Sequence, residues 1–105
     1  MVFIETPLFT KLVQGYLSDE AYAELQHALL LRPETGQVIP GSGGLRKIRW
    51  AVAQHGKRGG LRIIYYWVTA EAIIYLLFLY QKNEQEDLTP DQLKLLHRLI
   101  KEYLA

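Results

Sequence analysis

Between Glu34 and Glu71 the chain carries Arg46, Lys47, Arg49, Lys57, Arg58 and Arg62 and not one acid. These are half of its twelve Lys and Arg residues, and the eleven Asp and Glu lie toward the two ends. A surface that only keeps a protein in solution interleaves both signs. Segregated charge of this kind attracts polyanions even though the formal net charge is only +1. Arginine offers a planar fork that grips phosphate through two donors, and lysine offers a compact point charge. Tyrosines lie among the cations, and aromatic rings stack on the bases of single-stranded nucleic acid. The chemistry these residue types suit is recognition of an RNA or DNA backbone.

Alternation along the strands sorts the cations onto faces. In "LRKIRWAVA", Lys47 and Arg49 share one side and Ile48 and Trp50 the other, because successive strand residues point oppositely. Arg62 lies opposite Ile63, Tyr65 and Trp67, which read as core. Lys82 has the parity of Tyr80, unless a bulge intervenes. If these strands are neighbours, Lys47, Arg49, Arg62 and Lys82 converge, with Tyr66 or Tyr80 beside them. Arg46, Lys57, Arg58 and His55 extend the patch as expected phosphate contacts, the last three from the loop "QHGKRGG". His27 and His97 fall inside expected helices and read as packing or surface residues. No His, Cys or carboxylate pair has metal-ligand spacing, so no metal or cofactor is expected. "GKRGG" lacks the spacing and the following helix of a phosphate-binding P-loop.

The elements that must hold these residues are legible in outline. "VFIE" reads as a first strand, and a helix follows with Thr6 as N-cap and Pro7 at its first position. A second helix starts at Ser18, carries Asp19 and Glu20 in its first turn, and stops before Pro33. Its apolar stripe is Tyr22, Leu25, Leu29 and Leu30. Residues 34–44 are turn-rich and form a hinge. Strand-like runs cover Leu45 to Ala53, Leu61 to Thr69 and Ala72 to Tyr80, and their connections suit antiparallel hairpins. A last helix begins after Thr89, with Leu93, Leu96, Ile100 and Tyr103 or Leu104 at helical spacing. The 105 residues suit a single domain, 1–105, large enough for a true core. Absence of cysteine, of a basic leader and of an apolar run long enough for a membrane span places it as a cytoplasmic protein without a membrane partner.

The runs "GGLRK", "GKRGGLRIIYY" and "YQKNEQEDLTPDQ" together resemble the HigB-type branch of the RelE/ParE toxin superfamily of type II toxin-antitoxin systems. The resemblance covers nearly the whole chain. It implies an α+β fold, with N-terminal helices packed on a small twisted antiparallel sheet and a C-terminal helix. It implies a ribosome-dependent mRNA endoribonuclease that acts in the ribosomal A site and is inhibited by a cognate helix-turn-helix antitoxin. In that family the ribose 2′-hydroxyl attacks the adjacent phosphate without a metal, which requires a base, an acid and cations. The matching positions are Lys47, Arg49, Arg62 and Lys82; some RelE-type members carry a tyrosine where this chain has Leu88, and Tyr80 is the candidate to take its place. Arg62 is assigned to clamping the scissile phosphate, and Lys82 to transition-state stabilisation or leaving-group protonation. The alternative on the same scaffold is a non-catalytic module, either a gyrase-directed ParE-like inhibitor or a degenerate toxin that only binds its antitoxin.

Overall fold

The computed structural model describes residues 1–51 and 60–104; the expected phosphate contacts His55, Lys57 and Arg58 lie outside the described residues. The element order is β1 (Val2–Glu5), α1 (Pro7–Tyr16), α2 (Asp19–Leu31), β2 (Gln37–Val38), β3 (Arg46–Trp50), β4 (Leu61–Val68), β5 (Ile73–Gln81) and α3 (Pro90–Leu104). The strands form one sheet in the order β1-β5-β4-β3-β2. β3, β4 and β5 pair antiparallel, as the hairpin signals implied; β2 adds an antiparallel pairing to β3, and β1 runs parallel to β5 along the far edge. A parallel neighbour needs a long crossover, and the stretch from α1 to β4 supplies it. The sheet is therefore mixed, and the hinge contributes a short strand, β2, that sequence periodicity did not mark.

Both faces of the sheet are covered. Phe9, Val13, Leu17, Leu25 and Leu29 of the N-terminal helical region pack on Leu61, Ile63, Tyr65, Ile74, Leu76 and Leu79. On the other face Leu96 and Ile100 of α3 pack with Leu45, Ile64, Tyr75, Leu77 and Tyr80. Leu30, expected in the stripe of α2, is exposed, as is Leu104 of α3, whereas Tyr103 stacks on Tyr75 at a ring separation of 5.0 Å. α3 approaches closely where His97 meets Gly43: a Cβ built there would lie 2.7 Å from the imidazole, and Gly43 has φ +76°, so glycine is required twice over.

The helix starts are fixed as the sequence suggests. Ser18 accepts from the Ala21 N–H, and Thr89 and Gln92 cap each other reciprocally, at 3.1 and 2.9 Å. Thr6 does more than cap. Its hydroxyl accepts from the Phe9 N–H at 3.0 Å and donates to the Leu77 carbonyl at 2.8 Å, in a fully buried position. It ties α1 to β5. Thr6→Ala should therefore lower stability by about 1–2 kcal/mol, and Thr6→Ser should retain most of it. Equal denaturation midpoints for the two variants would refute this tie.

Four phenols are pushed above their ordinary value, Tyr16 chiefly through its hydrogen bond to Glu84. Burial is the first cause for Tyr22, Tyr65 and Tyr80; the hydrogen bond from Tyr22 to Glu5 adds to it. The folded chain holds these protons longer than the unfolded chain. Stability from them is present below the ordinary phenol value of about 10 and is lost as pH rises past it. Denaturant unfolding followed from about pH 8 upward should show the midpoint falling beyond about pH 10, and a flat profile would contradict the burial.

Candidate functional site

α3 covers only one end of its face of the sheet. The other end opens as a cleft of about 470 Å³ lined by Thr35, Gln37, Lys47, Ile48, Arg49, Arg62 and Lys82. β3 places Lys47 and Arg49 two residues apart on one side, and the register sets Arg49 directly opposite Arg62 and Arg62 opposite Tyr80. Two arginines facing each other across a ladder repel, an arrangement that an anion between them relieves. Arg62 is only 6% exposed, whereas Arg49 and Lys82 are exposed and Lys47 is half-buried.

Lys82 reaches the cleft because β5 is bulged. Ile64 pairs with Phe78 but Tyr65 pairs with Leu76, so Leu77 is an extra residue. Before the bulge, Ile73, Tyr75 and Leu77 face α3; after it, Phe78 and Tyr80 do. Without that insertion Tyr80 and Lys82 would share the side of Ile74 and Leu76, against the N-terminal helices. The ladder then continues past β5 through the Lys82 N–H, which donates to the Gly60 carbonyl at 3.3 Å. Gly60 has φ +55°, and a Cβ there would sit 2.5 Å from the Trp50 carbonyl oxygen, so this edge of the cleft admits only glycine.

One acid enters the cation cluster. Lys47 Nζ donates to Asp87 Oδ1 at 2.9 Å. That bond, with the charges of Lys47, Arg62 and Lys82, holds the Asp87 carboxyl below the ordinary carboxylate range. Asp87 lies in the connection between β5 and α3, whose shape is set by Gln85: its amide donates to the Asp87 carbonyl at 2.9 Å and to Gln92 at 2.8 Å. Sequence reading missed Asp87, Thr35 and Gln37, since none sits in a periodic run. Asp87 stands in the run "YQKNEQEDLTPDQ" that carries the resemblance, next to the capped start of α3.

Three expected site residues take other places. Arg46 faces away from the cleft: its guanidinium donates to the carbonyls of Glu34 and Gly36, at 3.1 and 2.7 Å, and lies 5.9 Å from the Trp67 ring. Its parity with Ile48 and Trp50 turns it there, so it fastens the hinge instead of extending the patch. Tyr66 packs in the α3 cluster against Gly44, at the covered end of the sheet, and pairs across the ladder with Tyr75. Tyr80 is beside Arg62 but is a buried ring, 3% exposed. Of the aromatic neighbours suggested for the cations, only Tyr80 adjoins them.

The mixed sheet with helices on both faces and a cation-lined cleft at its open end defines a small α+β protein with an electropositive cleft. A family model described as the RelE toxin of the RelE/RelB toxin-antitoxin system matches residues 13–105. The chain belongs to the RelE toxin family. Its fold is similar to the intact E. coli RelBE toxin-antitoxin complex, with a TM-score of 0.56 at 13% identity over 76% of this chain and 94% of that one. It is equally similar, at 0.56, to a mutant of the E. coli toxin RelE in the free state, with 14% identity over 81% and 86% of the two chains. No helix among the described residues is long and apolar enough to cross a membrane.

Proposed function

We propose that this RelE-family chain, of the HigB-type branch, inhibits translation by cutting mRNA in the ribosomal A site. The observation that carries this reading is the convergence of Lys47, Arg49, Arg62 and Lys82 on one cleft. In the reaction the ribose 2′-oxygen bonds to the neighbouring phosphorus and the bond to the 5′-oxygen breaks. A cyclic phosphate and a 5′-hydroxyl result, with one proton leaving the 2′-hydroxyl and one reaching the 5′-oxygen. Charge builds on the non-bridging oxygens, and fixed donors aimed at it lower the barrier. Arg62, held on β4 and facing Arg49, supplies those donors in fixed geometry. Lys82, at the exposed end, protonates the leaving oxygen. Lys47 acts through its charge, because its ammonium already serves Asp87 as donor.

A cognate antitoxin would silence the cleft until released. Induction of the chain alone should stop protein synthesis and leave messages with new ends inside their reading frames, mapped by 5′-end sequencing. Intact messages with broken DNA would show the gyrase-directed activity instead. Unimpaired growth would show a chain that only binds its partner.

A further inference from the structure

The wall of the cleft formed by the hinge and β2 differs in kind from the cationic floor. Lys47, Arg49, Arg62 and Lys82 present only donors, since neither an ammonium nor a guanidinium can accept a hydrogen bond. Ile48 presents neither. Among the described residues that line the cleft, the only side-chain acceptors are the Thr35 hydroxyl and the Gln37 amide oxygen. Asp87, held by Lys47, lines the adjoining cavity instead. Both Thr35 and Gln37 are exposed, and Gln37 pairs in register with Lys47, so it stands one strand spacing from the cations. The hinge that carries them is pinned from behind the sheet. Tyr65 engages the Pro33 carbonyl and the Gly36 N–H, and Arg46 engages the Glu34 and Gly36 carbonyls. Four hydrogen bonds on so short a stretch fix where residues 35 and 37 stand, as a preorganised recognition group requires.

We propose that Thr35 and Gln37 accept hydrogen bonds from the ribose 2′-hydroxyl beside the phosphate held by the cations, so that the cleft selects ribose over deoxyribose. The inference rests on the reading of the cleft as an RNA-phosphate site. A phosphodiester only accepts, and the cations answer it. The 2′-hydroxyl is the one group of an RNA backbone that also donates, and it is what distinguishes RNA from DNA at a given site. Among cations alone its proton would find no acceptor. It stands on the carbon next to the one that bears the 3′-phosphate, so an acceptor one strand spacing from Lys47 is within its reach. Bonded to this wall, the 2′-oxygen is kept beside the phosphorus it attacks.

The test is a titration of the whole chain, followed through its backbone amides, with uridine 3′-monophosphate, its 2′-deoxy and 2′-fluoro analogues, and inorganic phosphate. None contains a bond that the proposed reaction breaks. The 2′-fluoro sugar keeps a polar atom at that position but cannot donate. The ribonucleotide should bind roughly three- to tenfold more tightly than either analogue, the worth of one neutral hydrogen bond, and should shift the Thr35 and Gln37 amides further. A chain carrying both Thr35→Val and Gln37→Met, which keep the bulk of the side chains, should bind the three nucleotides alike and hold inorganic phosphate as before. Its amide spectrum also reports that it is folded. Gln37→Glu gives up the amide donors and keeps an acceptor, so the preference should survive there even though the added charge weakens every phosphate. Equal binding of the three nucleotides to the original chain, or a preference that persists in the double variant, would overturn the wall and leave the nuclease reading intact. Failure of every phosphate to bind would overturn the wall and the phosphate cleft together. A ribose preference in a chain that leaves ribosomal messages uncut would uphold the wall and retire the nuclease.

Discussion

Arg62→Ala should reduce single-turnover cleavage of ribosome-bound mRNA by about a hundredfold or more, the loss expected when a transition-state donor is removed. Arg62 is the cation best placed for this. It is anchored between Leu61 and Ile63, both fully buried, and only 6% of its surface is exposed, so its guanidinium is held in one geometry. Charge alone does not give that property. Lys101 near the exposed end of α3 carries the same charge far along the chain from the cleft, and Lys101→Ala should change the rate less than about twofold. Arg62→Lys keeps the charge but loses the fork, and should recover only part of the rate. Because Arg62 is buried, unfolding transitions and antitoxin binding must be measured alongside. Equal, modest losses in Arg62→Ala and Lys101→Ala, with both chains folded, would make the cleft a docking surface and not a catalytic one.

The largest expected loss of stability is at Tyr65. Its ring is fully buried between the sheet and the N-terminal helices, and its hydroxyl donates to the Pro33 carbonyl at 2.7 Å and accepts from the Gly36 N–H at 2.8 Å. Removing the whole side chain in Tyr65→Ala should cost about 3–5 kcal/mol through the cavity left behind. Tyr65→Phe isolates the hydroxyl: two backbone groups lose their partner, at about 1–3 kcal/mol. The same bonds hold the hinge that carries Thr35 and Gln37 to the cleft. Tyr65→Phe should therefore also speed amide exchange at Gly36. A phenylalanine variant as stable as the original, with unchanged exchange, would show that packing alone holds the hinge.

Much of this architecture is legible in the sequence because it depends on near neighbours. The helix starts at Thr6, Ser18 and Thr89 depend on a side chain meeting an N–H two or three residues on, and the structure shows those bonds. The separation of Lys47 and Arg49 from Ile48 and Trp50 follows from strand alternation. Arg46 shows the limit of reading charge without face. It belongs to the same basic run, yet its parity sends it to the hinge carbonyls. Tyr66 was placed near the cations by type and proximity, but the residues above it belong to α3, more than twenty positions away.

By itself the sequence determined which segments become helices and, β2 apart, which become strands, which face of β3 carries cations, and that positive charge is concentrated in the middle of the chain. Each of these follows from local backbone geometry and composition. Only the tertiary structure decided that β1 lies parallel beside β5, that α3 leaves one end of the sheet open, and that Asp87 joins Lys47. It alone decided the bulge at Leu77, which turns Tyr80 and Lys82 toward Arg62. A one-residue insertion reverses every side chain beyond it, and whether β5 accepts one is settled by fitting Tyr65 and Leu76 into one core and Leu77 and Tyr80 into the other. That fit depends on residues from both ends of the chain at once, and no local pattern contains it.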